Sequence, residues 1–263
     1  MGVLNVTPDS FSDGGRYLDP HAAIDHAQRM VDEGADMIDV GGESTRPGAR
    51  DVAAHVEISR LQPVLRKLGS RLSVPLSVDT RKAEVAKMAL DHGVVIVNDV
   101  SALQGDPAMA PLVAQTGAGA VLMHMPGTPQ TMQAHCVYRD VVREVRDFLA
   151  RRMEIARAWG IAHEQMIVDP GIGFGKTMDQ NLQLLGRLPE FHTLGRPVLV
   201  GVSQKSFLGQ LLGKSIEERT MGTAGAVAMS VLGGAHIVRV HHVGLMRDVV
   251  RTVEAIRGAV RDA

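Results

Sequence analysis

The chain has 263 residues, 45% hydrophobic and 22% charged, with a formal net charge of −1. It is long enough for a large core, and its charge balance gives no electrostatic basis for binding nucleic acid or an anionic membrane. Aromatic residues make up 3%, too few for a platform that stacks single-stranded bases.

A single cysteine, Cys136, cannot close an intramolecular disulfide, which suits a reducing, cytoplasmic setting. No apolar run approaches a membrane span, and residues 1–15 lack the basic start and apolar middle of a secretory signal.

In chain order, short apolar runs alternate with longer amphipathic segments. Residues 2–6 predict a first strand, followed by a loop through Gly15 with Phe11 as its one large apolar side chain. Residues 20–34 predict a helix, with Ile24, Ala27 and Met30 at helical spacing and Asp19 as N-cap. Residues 37–40 are a second strand, and the loop 41–50 leads to a helix over 52–68. A third strand over 72–78 ends at Asp79, with a helix over 82–92. A fourth over 94–97 ends at Asn98–Asp99, before a short helix at 107–115. A fifth over 118–123 ends at His124, and a Gly/Pro/Thr loop leads to a long helix over 140–159. A sixth at 166–168 ends at Asp169, with a helix at 181–187. A seventh at 198–202 ends at Ser203–Gln204–Lys205, before a helix at 215–232. An eighth at 236–240 carries Arg239 and precedes a final helix at 243–260.

Alternating strands and helices at about 30 residues per unit imply parallel pairing with right-handed crossovers. The count and size are those of a single-domain α/β fold, a (β/α)8 TIM barrel over residues 1–263. A doubly wound open sheet is the alternative, but it places ligand loops at one switch point rather than after nearly every strand. Here the polar residues follow the strands: Asn5, Glu43 to Arg46, Asp79, Asn98, His124, Asp169, Lys205, Arg239 and His241. Taken singly, each is more simply a cap or turn residue. Taken together, they are expected to converge on the one mouth of a barrel.

Other motifs carry less. Residues 171–176, GIGFGK, resemble a phosphate loop, but the full pattern requires glycine where Pro170 stands. Residues 209–215, GQLLGKS, are one spacer short. The glycines are then either a tight turn or a close backbone approach to a ligand. His124, His135, Cys136, His241 and His242 have no zinc spacing, and Ser203 and Ser206 lie outside any nucleophile elbow. Asp79 and Asp169 at a barrel mouth suit bidentate pairing with an amidine-like ring edge, as in a guanine or pterin ring, although a helix cap and a turn explain them as well. Asn98 can add a donor or acceptor at the same edge. Arg46, Lys205 and Arg239 follow strands two, seven and eight, where barrels often bind phosphate; surface salt bridging is the plainer alternative.

Several stretches together resemble one family, dihydropteroate synthase of the pterin-binding barrels. They are GVLNVTPDSFSDGG at 2–15, GESTRPGA at 42–49, SVDT at 77–80, NDVS at 98–101, VDPGIGFGK at 168–176, VSQKSF at 202–207 and RVH at 239–241. The loop HMPGTPQTMQ at 124–133 is also similar. The resemblance implies condensation of 6-hydroxymethyl-7,8-dihydropterin diphosphate with 4-aminobenzoate, giving 7,8-dihydropteroate and diphosphate. It implies Mg2+ as cofactor and a homodimer. Lys205, Arg239, Asp79 and Asp169 would form the catalytic set. Asp79, Asn98, Asp169 and Lys205 would hold the pterin, and Asn5 would meet the metal. Thr45, Arg46, Arg239 and His241 would bind the diphosphate. Phe11, Pro47, Phe174, Lys205 and Ser206 would shape the aminobenzoate pocket, with loops 7–15 and 41–50 closing over the site.

The chain departs from the family at Gln204, usually arginine, at His242, usually aspartate, and at Gln130, commonly arginine. It also begins inside the first strand, without the usual preceding hairpin, so that strand is expected to fray. Two other readings stand beside the main one. A pterin-dependent methyltransferase on the same barrel would not need Thr45–Arg46–Pro47. A non-catalytic pterin-binding paralogue is the reading that Gln204 favours.

Overall fold

The computed structural model describes residues 1–7 and 20–261; Phe11, Asp19 and most of the expected lid at 7–15 lie outside the described residues. The strands are β1 Gly2–Asn5, β2 Ile38–Gly41, β3 Leu76–Asp79, β4 Ile96–Asp99, β5 Gly119–Met123, β6 Met166–Asp169, β7 Leu199–Val200 and β8 Ile237–Val238. β1 to β6 pair in chain order, all parallel, and β7 pairs with β8. Isolated parallel bridges join Val168 to Val198 and Gly2 to Val240. These join the two sheets at both edges, so the eight strands form a closed (β/α)8 barrel and the open-sheet alternative falls away. β1 does not fray: Gly2 N donates to Met37 O (2.8 Å) on one side, and Val3 N to Val240 O (3.0 Å) on the other.

The period of two in each strand sorts the side chains into two layers. One set, including Leu4, Val40, Val78, Val97, Leu122, Val168 and Val200, joins the main core under the helices. The alternate residues point into the barrel. Its lower interior is mostly apolar, built from Met1, Val121 and Leu199 with Met37, Ile96, Ile167 and Ile237, and holds one buried polar pair, Asp39 and Ser77. One pleat repeat higher the inward residues become polar. The register aligns Asn5 with Gly41, Gly41 with Asp79, and Asp79 with Asn98. A single level at the strand ends thus gathers residues that are far apart in sequence.

The helices are α1 Pro20–Asp32, α2 Ala54–Arg71, α3 Ala83–Leu90, α4 Met109–Thr116, α5 Val141–Ala158, α6 Met178–Gly186, α7 Ser206–Leu212, α8 Thr220–Leu232 and α9 Val243–Arg261. Their ends follow local chemistry. Asp140 caps α5 by accepting from Val142 N and Arg143 N, and Thr177 caps α6 with Gln180 closing a capping box. The expected helix over 215–232 is corrected to α8, which starts only at Thr220, and α7 is a helix ahead of it that the sequence reading missed. Gly213, left-handed at φ 66°, stops α7 after seven residues, and a turn precedes Thr220. Helix α7 leaves no clear pattern in the sequence because Gly209 interrupts its apolar spacing. A Cβ at Gly209 would displace the Arg219 guanidinium that lies over the helix.

Candidate active site

A cavity of about 390 Å³ opens at the carboxyl ends of the strands. Asn5 reaches it from the end of β1, Thr45, Arg46 and Pro47 from the loop after β2, and Asp79 from the end of β3. Phe174 comes from the loop after β6, Lys205 and Ser206 from the start of α7, and Arg239 and His241 from the segment after β8. Of the expected residues that are described, all but Asn98, Asp169 and His124 converge on the cavity lining. Asn98 is buried and donates from Nδ2 to Asp39 Oδ2 (3.0 Å). Asp169 is buried and accepts from Gly171 N at Oδ1 (2.7 Å).

The site's electrostatics centre on Arg239. Its Nε donates to Asp39 Oδ2 (2.7 Å) and its Nη2 to Asp79 Oδ2 (2.9 Å). Burial opposes the guanidinium charge, but the two carboxylates outweigh it and its pKa rises. Asp39 also accepts from Ser77 Oγ (2.6 Å), so both its oxygens are engaged. Asp79 is different: Oδ1 is buried and has no hydrogen-bond partner among the described residues. Burial pushes the Asp79 pKa up to about 7, against the pull of Arg239. Asp169 is raised to about 6, again by burial, with the Gly171 N–H and Lys205 opposing. Lys205 is lowered to about 8 by burial and by Arg239, with Asp169 opposing. His241 is held neutral, its pKa lowered to about 3 by burial and then by Arg239, Lys205 and Arg46. Its Nδ1 shares a hydrogen bond with Ser203 Oγ (2.9 Å). The Lys205 ammonium lies 3.9 Å from the centre of the Phe174 ring. Gly173 makes this approach possible at φ +84°, since a Cβ there would lie 2.9 Å from Lys205 Cδ.

The loop carrying Thr45 and Arg46 is braced from below. Glu43 accepts from Val52 N and from Lys82 Nζ, both at 2.7 Å, and Lys82 also donates to Glu57 (2.7 Å). His124 lies away from the mouth: its Nδ1 faces Lys176 Nζ (3.0 Å), and its ring packs edge-on against Phe148. Burial, then Lys176, lower its pKa to about 2.

Asp39 is absent from the expected site residues, yet it positions Arg239 and Asn98. Its one mark in the sequence is a charge inside an apolar strand, which burial makes costly unless paired. Arg219 is a second addition. It lines the cavity, and its Nη1 donates to the carbonyl of Gln204 (3.2 Å). Gln204 sits at φ 59°, with its backbone N–H donating to Thr223 Oγ1 (3.1 Å). A guanidinium thus stands beside the position where the sequence lacks one, delivered from the turn before α8.

A closed barrel with buried carboxylates below a polar mouth and cations on the loops above it is the layout of an α/β-barrel enzyme acting on a ring-bearing, anionic substrate. The model of the pterin binding enzyme family matches residues 1–241. The dihydropteroate synthase of Synechocystis sp. is 46% identical over 257 residues, covering 97% of this chain and 89% of that protein. That of Mycobacterium leprae is 47% identical over 263 residues, covering 97% and 92%. Among solved structures, the Yersinia pestis dihydropteroate synthase with a sulfonamide drug complex superposes with a TM-score of 0.94 at 43% identity, covering 98% of this chain and 94% of that one. The Xanthomonas albilineans dihydropteroate synthase in complex with 7,8-dihydropteroate gives 0.88 at 40% identity, covering 98% and 92%. The chain belongs to the pterin-binding enzyme family, among its dihydropteroate synthases.

Proposed function

We propose that this site condenses 6-hydroxymethyl-7,8-dihydropterin diphosphate with 4-aminobenzoate to give 7,8-dihydropteroate and diphosphate. The observation that carries the reading is the buried, unpartnered Oδ1 of Asp79 at the cavity wall. Leaving it unmet costs about 1–3 kcal/mol, and the N–H edge of a pterin ring supplies the missing donor. Asn98 stands in register beside Asp79 on the neighbouring strand, and Asp169 ends β6. Arg46, Arg239 and neutral His241 also face the cavity and suit a diphosphate, with Arg239 reaching Asp79 through Nη2.

Catalysis follows from positioning and charge. The C–O bond to diphosphate breaks with its electron pair leaving on oxygen. The electron-rich dihydropterin stabilises the methylene cation, and the arylamine nitrogen forms the new C–N bond and then loses a proton. Arg46 and Arg239 balance the departing charge. Phe174, Pro47, Lys205 and Ser206 hold the aminobenzoate beside the carbon.

Mg2+ belongs to this reading. Among the described residues no group of three or more His, Cys, Asp or Glu side chains gathers to hold a metal ion. Asn5 at the cavity wall offers a hard amide oxygen, and Mg2+ is commonly held by few protein oxygens together with substrate phosphates, so the residues fit. When bound there, the ion would neutralise leaving-group charge.

A cytoplasmic homodimer completes the proposal. No described helix is long and apolar enough to cross a membrane. A steady-state assay of diphosphate release with both substrates and Mg2+ tests the reading. Turnover is expected; pterin binding without turnover would leave a non-catalytic pterin-binding protein.

A further inference from the structure

Lys176 ends the glycine-rich segment GIGFGK, yet its side chain turns away from the cavity lining. It is buried, and its Nζ faces four acceptors. They are Phe174 O at 2.8 Å, Gly171 O at 2.9 Å, His124 O at 3.2 Å and His124 Nδ1 at 3.0 Å. An ammonium has three N–H groups, so its donors are fully spent on this shell. Three acceptors are backbone carbonyls: two in the loop after β6 and one at the end of β5. No carboxylate is among them, although burying a charge without a close ion pair is costly. Burial lowers the pKa of Lys176 to about 7, with Asp169 opposing.

The loop it gathers cannot take another shape easily. Gly171, Gly173 and Gly175 all have positive φ, at 70°, 84° and 58°. A Cβ at Gly171 would collide with the His124 carbonyl, and one at Gly175 with Pro126. Gly173 N donates to Asn181 Oδ1 (2.7 Å), and Tyr138 Oη donates to Gly175 O (3.0 Å). Phe174 is the one side chain of this loop that faces the cavity, where Lys205 lies over its ring.

We infer that Lys176 is a positioning residue: its ammonium pins the loop after β6 to the end of β5 and so sets the Phe174 ring beneath Lys205. The segment that resembles a phosphate loop thus uses its lysine inward, on its own carbonyls, instead of on a phosphate. Lys176 acts on the aminobenzoate end of the site. Arg46 and His241, at the diphosphate end, sit on loops it does not touch.

The inference rests on the condensation proposed above, so wild-type turnover is measured alongside the variants. For Lys176→Gln, the KM for 4-aminobenzoate should rise about tenfold, while calorimetric affinity for the pterin diphosphate stays within about twofold. Phe174→Ala should raise the same KM. Adding Lys176→Gln to it should raise that KM further by less than about twofold, because residues acting through one contact are not additive. An unchanged KM in Lys176→Gln, or additive effects, overturns the inference while leaving the condensation intact. Hydrogen exchange on the wild-type protein decides the matter if Lys176→Gln fails to fold or the wild type shows no turnover. Gly173 and Phe174 amides protected like those of β5 and β6 support the pin, and exchange as fast as an exposed loop refutes it.

Discussion

Asp79 carries two tasks through its two oxygens. Oδ2 accepts from Arg239, and Oδ1 is left for a ligand. Asp79→Asn keeps the size of the side chain but removes the charge from both tasks. A hydrogen bond to a charged group contributes about 1.5–3 kcal/mol, so pterin affinity measured by calorimetry should fall roughly 10- to 100-fold. Near-native affinity would show that the ring edge docks elsewhere. The same groups set a pH window. Asp79 at about 7 and Asp169 at about 6 are carboxylates above those values and are neutralised as pH falls through them. Lys205 at about 8 is charged below that value and loses its proton above it. Hence kcat/KM should climb through the acid limb, peak between the two limbs and fall above about pH 8. A profile flat across that range would contradict these roles. Much of this was legible: a carboxylate ending an apolar strand can be read as a mouth residue once the barrel is inferred. Asp39 was not, because it lies one pleat repeat below the strand end and never meets a loop. Its importance is visible only when Arg239, distant in sequence, comes down between it and Asp79.

The loop after β6 and helix α7 show how far element-level patterns reach. Glycines at 171, 173 and 175 signalled either a tight turn or a close approach to a ligand. Both parts are present, but the close approach is to protein, namely the His124 carbonyl, the Lys205 side chain and Pro126. A paired substitution separates the causes. Gly213, at φ 66°, has open space on all sides of the point where a Cβ would stand, so Gly213→Ala bears only the left-handed backbone cost of about 1–2 kcal/mol. Gly171→Ala, at φ 70°, adds a collision with the His124 carbonyl, which accepts from Lys176 and belongs to a residue whose N–H is tied to Asp169 O. Urea denaturation should therefore place Gly171→Ala lower in stability than Gly213→Ala by a further 1 kcal/mol or more, roughly, with similar m-values. Equal losses would mean that the loop relaxes around the new methyl. Helix α7 was illegible for a related reason. Gly209 breaks the apolar spacing because Arg219 lies over the helix, and a contact between two segments leaves no periodic signature in either.

At the scale of the molecule, eight strand–helix units could be counted from hydropathy, but closure could not. It rests on the bridges Gly2–Val240 and Val168–Val198, which belong to no long ladder and carry no residue signature. Assembly is the remaining whole-molecule property, and the surface of the last two helices bears on it. α8 exposes Met221, Met229 and Leu232, and α9 exposes Leu245, Ile256 and Val260. The two helices pack together, and Arg257 of α9 donates to Val231 O (2.7 Å) of α8. Large apolar side chains left exposed on two packed neighbours concentrate solvent-facing apolar area in one region, which a lone chain does not need. A symmetric pair would bury about 800 Å² per partner at a standard interface, and these helices are long enough to supply that. The proposed homodimer should therefore sediment at twice the chain mass at micromolar concentration. Met229→Glu combined with Ile256→Glu should return it to the single-chain mass, because each symmetric interface would then hold four unpaired carboxylates. Neither residue lines the cavity. A chain that sediments singly before any substitution removes the homodimer. A variant that stays paired moves the interface to another face.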